Sequence, residues 1–259
     1  MISKISRFQR GFRSVILLLA VSANGLPRVA CAGCEDPPAP DVNWARCDLR
    51  DSDFAGADLR RATLLRSNLT NTRMVGVNLR SADLGFAELG GADFSEAKMD
   101  GAILTGAHMS DARFIRARMG HARINRADLT KADLSQADLR EAELYDSNLA
   151  HAVLRGANLE GAVLEQVNLQ GADLSGAVLS RSKLAGARLE DASLAGAVLR
   201  KAKLAGAILI DADLRQADLR GADLSEADLS YAQLEGALLD NTTWVDRRRC
   251  RPGSVGRCE

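Results

Sequence analysis

Four cysteines stand near the two ends of the chain's main body: Cys34 and Cys47 at its start, Cys250 and Cys258 at its close. Thiols can hold a metal or form disulfides. The spacings fit no common zinc pattern, and His108, His121 and His151 are remote from all four. No metal and no cofactor are expected. In an oxidising compartment an even set of cysteines reads as two disulfides. Three pairings are open. The two local ones, Cys34–Cys47 and Cys250–Cys258, would each close a short loop worth roughly 2–3 kcal/mol.

The other reactive side chains make no recognisable active site. The sequence has no nucleophile elbow, no HExxH and no phosphate-cradling glycine loop. Every histidine lies within a repeat, and the many carboxylates recur at repeat positions where solvation is the default. The chain is read as non-enzymatic, with no catalytic, cofactor or metal residues.

Use of the cysteines as disulfides depends on export, and the N-terminus supplies the signal. Lys4, Arg7, Arg10 and Arg13 precede the apolar run Val15–Val21, and Ala30-Cys31-Ala32 follows as a cleavage site. Residues 1–32 are read as a secretory signal peptide, giving a periplasmic or secreted protein. The apolar run is far short of the ~20 residues that span a bilayer. A lipid anchor at Cys34 is the lesser alternative, because Cys31 stands where a lipobox usually has Leu. The whole chain carries 34 basic and 34 acidic residues. Without residues 1–32 the balance is 29 to 34, mildly acidic and unlike a nucleic-acid-binding protein.

These features frame one long repeat. From Leu49 a large apolar residue returns every fifth position to Leu239, about 39 units without a slip, each preceded two places earlier by a small residue. A period of five fits neither helix nor simple strand. Small and large residues both face inward only if the chain turns a corner every five residues. The frequent glycines two places after the large residue (Gly56, Gly156, Gly161, Gly171, Gly176) suit corners with unusual dihedrals.

The units, such as Ala217-Asp218-Leu219-Arg220-Gly221, resemble those of the pentapeptide repeat family, A(D/N)Lxx, over nearly all the chain beyond residue 32. The resemblance implies an all-β fold, a right-handed quadrilateral β-helix with four units per coil and Leu, Phe and Ala inside. About ten coils at ~4.8 Å would give a rod near ~48 Å long. The divisions are then 1–32 signal peptide, 33–46 proline-rich linker and N-terminal cap, 47–241 repeat, and 242–259 cysteine-containing cap. Glu35–Pro40 is read as an extended lead into the first coil.

Residues 20 apart should stack. Phe54, Met74, Phe94 and Phe114 then form one inward column, an expected aromatic stack. Trp44 and Trp244 stand in phase just outside the repeat and are read as lids over the terminal layers. The tail from Thr242, with Cys250 and Cys258, looks like the C-terminal cap of exported family members.

On the surface, His108, Arg113, Arg118 and Arg123 occupy the four sides of one coil. Asp128, Asp133, Asp138 and Glu143 fall one coil later, so these charges are expected to pair with each other rather than bind nucleic acid. Val178, Val198 and Leu238 share an outward side, with Val153 and Val163 on others; they are read as scattered aliphatics. The function expected is a rigid exported scaffold with an unidentified protein partner. The alternative is a DNA-mimicking factor that binds and protects a type II topoisomerase.

Overall fold

The computed structural model describes residues 33–259; the expected signal peptide lies outside the described residues. One register runs throughout. The residue before each inward Leu bridges in parallel to the residue 20 positions on, from Asn43 with Thr63 to Asp223 with Thr243. Four five-residue units therefore make one coil. Its sides are named here by their first bridging residue: the Asn43, Asp48, Asp53 and Asp58 sides.

The described residues contain no helix, and no strand is longer than a single bridge residue. The expected sheets are thus ladders of isolated bridges. The cause is geometric, since a turn every five residues leaves too few residues extended to form a run. At one corner the Leu59 carbonyl accepts the Ala62 N–H at 3.1 Å, and Arg61 between them has φ 57°. Such turns need positive φ at their third residue. From Leu49 to Leu239 positive φ recurs two places after every inward large residue, at Asp, Asn, Arg, His, Gln, Lys, Glu, Ser, Phe and Tyr as well as at Gly. Glycine at some corners marks a conformation that all of them share.

The core is a stack of alternating Ala and Leu layers; from Leu59 to Leu224 every inward large residue is at most 1% exposed. Hydroxyls in the small-residue slot stay bonded. Ser67, Thr72 and Ser182 donate to the carbonyls of Leu64, Leu69 and Leu179 in their own turns. Ser147 instead bridges a turn in the preceding coil, donating to the Ile124 carbonyl at 2.7 Å and accepting the Ala127 N–H at 3.3 Å.

Met74, Phe94 and Phe114 are fully buried, and Phe94 stacks on Phe114 with centroids 5.1 Å apart and planes 4° from parallel. Phe54, half-buried, packs instead against Trp44 across the first coil at 5.0 Å. Trp44 fills the inward slot of that coil, is 1% exposed and donates its indole N–H to the Asp36 carbonyl. The segment before it does not run out as an extended lead. It folds back, Gly33 N–H to Asn43 carbonyl, with Cys34 and Cys47 at disulfide distance.

At the other end the chain reverses. Residues 248–256 return antiparallel along the last coil, Leu238 against Val255 and Thr243 against Arg249, with Cys250 joined to Cys258. Trp244 is half-buried, and its N–H bonds the Arg248 carbonyl at 2.8 Å.

Candidate functional site

The outward surface is set by one recurring backbone need. In the unit 137–141 four of the five N–H groups bond other backbone: Ala137 to Leu134, Asp138 to Ala117, Leu139 to Asn158 and Glu141 to Glu160. Stacking leaves only the Arg140 N–H without a carbonyl. It bonds Asp138 Oδ1 at 3.3 Å. The same Asp or Asn to i+2 bond recurs at Asp53, Asn68, Asp83, Asp93, Asn158 and Asp223, among others. The repeat's polar position is therefore a backbone cap, an Asx turn at each side of the rod.

This cap redirects the charges. The stacking of His108, Arg113, Arg118 and Arg123 on Asp128, Asp133, Asp138 and Glu143 is present, but the expected pairs across it are not formed. Asp138 turns back over its own unit and binds the Arg140 guanidinium at 2.6 Å. Asp133 accepts from Ser135, Asp128 from Thr130 and Ser110, and Glu143 from Asn125. Arg118 pairs with Asp100 at 3.2 Å. A carboxylate bent over its own i+2 N–H lies nearest the i+2 side chain, and that local partner wins.

Arg50–Asp48, Arg60–Asp58, Arg215–Asp213 and Arg220–Asp218 repeat the arrangement, each at 2.7 Å. In each of these four the guanidinium holds its carboxyl below the ordinary carboxylate range, against the opposing effect of desolvation. Corner residues pair separately from coil to coil, Arg61 with Asp41 at 2.6 Å and Arg116 with Glu96 at 2.9 Å.

A second regularity follows. No bridge in the ladder sets one acid upon another, whereas Lys98 meets Arg118 and Lys183 meets Lys203. Carboxylates fixed by their caps cannot splay apart at the ~4.8 Å spacing of neighbouring strands; long cationic stems can.

Of the outward aliphatics, Val178, Val198 and Leu238 are half-buried; the two valines are direct neighbours, and Leu238 is paired with Val255. Phe86, Tyr145, Tyr231 and Val255 are the exposed large apolar residues among those described. Phe86 carries the Arg66 guanidinium over its ring at 5.6 Å. Pockets are shallow and open; one of about 440 Å³ lies among Thr105, Asn125, Arg126, Glu143, Tyr145 and Val163. No group of His, Cys, Asp and Glu able to hold a metal occurs among the described residues. No helix there is long and apolar enough to cross a membrane. Cys34 lies at disulfide distance from Cys47.

The capping carboxylates, the antiparallel return and the edge it leaves open were not foreseen from the sequence. The first had a visible signal, Asp or Asn at a fixed place in nearly every unit.

Comparison with known proteins identifies the repeat. Pentapeptide repeats match in eight copies, over residues 47–85, 78–114, 87–126, 107–144, 142–181, 172–209, 182–221 and 207–243. Among solved structures the chain is similar to HetL, a pentapeptide repeat protein involved in heterocyst differentiation regulation in the cyanobacterium Nostoc. Identity there is 32% over 81% of this chain and 92% of that one, with a TM-score of 0.38. A pentapeptide repeat protein of the Arabidopsis thaliana thylakoid lumen is 30% identical over 36% of this chain and 65% of its own, TM-score 0.35. QnrB1, a plasmid-mediated fluoroquinolone resistance protein, is 21% identical over 75% and 94%, TM-score 0.40. Curated proteins give no match. Members of this family form right-handed quadrilateral β-helices and are generally non-catalytic scaffolds. With its 20-residue register and matches across most of its length, this chain belongs to the pentapeptide repeat family.

Proposed function

We propose that the protein is a non-enzymatic, exported scaffold for protein interaction, a rigid capped rod of about ten coils. One observation carries the reading: a cysteine pair at disulfide distance pins each end of the repeat, Cys34–Cys47 at the first coil and Cys250–Cys258 at the last. Such pairs persist in oxidising compartments and are rare in the cytosol. The carboxylates support the non-catalytic part, because many serve as backbone caps and arginine partners, as Asp138 does, and where Glu141, Glu143 and Glu160 gather they line an open surface shared with Arg140 and Arg181.

Fractionation of cells expressing the full chain, with intact-mass analysis of each pool, tests this. A periplasmic or secreted species beginning at Gly33, lighter by four hydrogens, is the expected result. A full-length cytoplasmic species with free thiols would overturn it. The topoisomerase reading would then lead, tested by protection of gyrase supercoiling from quinolone poisoning. Against that reading stand the local ion pairs that neutralise much of the surface, as at Asp48, Asp58, Asp138 and Asp213.

A further inference from the structure

The last coil is finished on two of its four sides only. On the Asp58 and Asn43 sides the chain's own return completes it: Leu239 N–H bonds the Ser254 carbonyl and Gly256 N–H the Ala237 carbonyl, both at 2.9 Å. That return is basic, Arg248-Arg249-Cys250-Arg251, and rounds the corner at Pro252-Gly253, where Gly253 has φ 88°. The Cys250–Cys258 bond then turns the chain aside.

On the Asp48 and Asp53 sides the equivalent edge, residues 228–236, is open except at its end, where Gly256 of the return lies beside the Leu234 carbonyl and the Gly236 N–H. The N–H groups of Leu229, Tyr231, Leu234 and Gly236 find no acceptor among the described residues. Leu229, Ala232 and Leu234 are half-buried, whereas Leu209, Ala212 and Leu214 one coil inward are at most 1% exposed. Tyr231 at the corner is 83% exposed. An unpaired edge beside exposed apolar side chains is a template for strand addition.

Charge selects the occupant. Residues 221–246 contain no Lys or Arg. Glu226 and Asp246 are paired to Arg247 and Arg248; Asp228 is bonded only to Ser230, and Glu235 feels only Arg215, whose guanidinium is already bound to Asp213. A second copy is a poor fit, since its first coil leads with Asp48, Asp53 and Asp58, its last coil offers this same acidic strip, and its own basic return is already paired on that coil. Either would set acid on acid, which no bridge in the ladder does.

We infer that the strip 228–236 docks a basic extended segment of a partner protein, paired antiparallel and bent at the Tyr231 corner, as the chain's own return is bent on the other two sides. The inference rests on the interaction-scaffold reading and gives it a partner class. Its test does not depend on export, so a cytoplasmic chain could still dock the segment and an exported one could fail to.

The probe is a synthetic peptide with the sequence of residues 248–256, carrying Ser for Cys250, alongside an analogue with Glu for each Arg. Binding to the full chain with both disulfides formed is read by fluorescence anisotropy, and amide exchange by NMR. The expected result is binding of the Arg peptide only, with exchange at Leu229, Tyr231, Leu234 and Gly236 slowed by at least about tenfold. The double variant Asp228→Lys/Glu235→Lys, on exposed positions and checked for unchanged melting, should weaken that peptide by at least about tenfold and favour the Glu analogue. Binding that survives the charge reversal overturns the proposal. So does a lack of protection at the four amides, or their protection without peptide through self-association.

Discussion

Asp218 caps the backbone of Arg220 and grips its side chain at once. Oδ1 accepts the Arg220 N–H at 3.3 Å and Nε–H at 2.8 Å, and Oδ2 accepts from the other arm of the fork at 2.7 Å. Arg200, one coil before Arg220, adds a third cationic contact at 2.5 Å. The carboxylate is 10% exposed and its pKa is lowered to about 2, chiefly by the Arg220 guanidinium against the opposing effect of desolvation, with Arg200 next.

That depression makes Asp218 an acid-sensitive point. The carboxyl titrates lower in the folded chain than its ordinary 3.8, so its contribution is complete above about pH 4 and is lost as pH falls through about 2. It amounts to at most about 2 kcal/mol, less the screening its exposed arginines receive. In urea melts between pH 2 and 6, Asp218→Asn should flatten part of the acid limb. An unchanged limb would show that the pair does not survive in solution.

The two roles of the residue separate by substitution. Asn keeps an oxygen for the Arg220 N–H and loses the charge; Ala loses both. Asp218→Ala should therefore cost more at pH 7 than Asp218→Asn, by about 1 kcal/mol for the lost cap. At Asp48, whose side chain is 58% exposed, water replaces the cap and the difference should be clearly smaller. Equal Ala–Asn gaps at both sites would contradict the capping argument.

Inward and outward positions differ sharply even between neighbours. Leu139 is fully buried, so Leu139→Arg places an unpaired charge in a narrow core and should cost about 3–5 kcal/mol, splitting the cooperative melt of a stacked array. Arg140→Ala removes only a solvent-facing pair with Asp138 and should leave the melt nearly unchanged. Calorimetry of both variants checks the contrast.

Corner glycines are not equivalent. A Cβ at Gly176, φ 65°, would meet nothing within 4 Å, whereas one at Gly106, φ 66°, would lie 2.6 Å from the Phe86 ring. Gly176→Ala carries only the left-handed penalty, about 1 kcal/mol. Gly106→Ala must also displace Phe86 from beneath Arg66, adding about 0.5–1 kcal/mol. Combining Gly106→Ala with Phe86→Ala should abolish that excess.

Each disulfide closes a short loop, with separations of 13 and 8 residues. Cys250→Ala/Cys258→Ala should lower stability by about 2–3 kcal/mol and speed amide exchange at Leu239 and Asn241, which bond the return. The first coils should be unaffected, because neighbouring repeats alone share an interface. Exchange that rises equally at Leu49 would argue against such local coupling.

The sequence by itself determined the five-residue phase and the inward slots, because a period that never slips needs a corner every five residues to bury its Leu; the stacking of residues 20 apart was implied by the resemblance to the family. It also showed an Asp or Asn at a fixed place without showing why. Tertiary structure decided what depends on the fate of each N–H: that Asp138 caps and binds Arg140 rather than reaching Arg118, that corners without glycine share its dihedral, and that Phe54 packs on Trp44. The C-terminal end was likewise open until the chain folded. Residues 248–256 obey no period of five, so only their pairing on the last coil shows which two sides they cover and which two they leave bare.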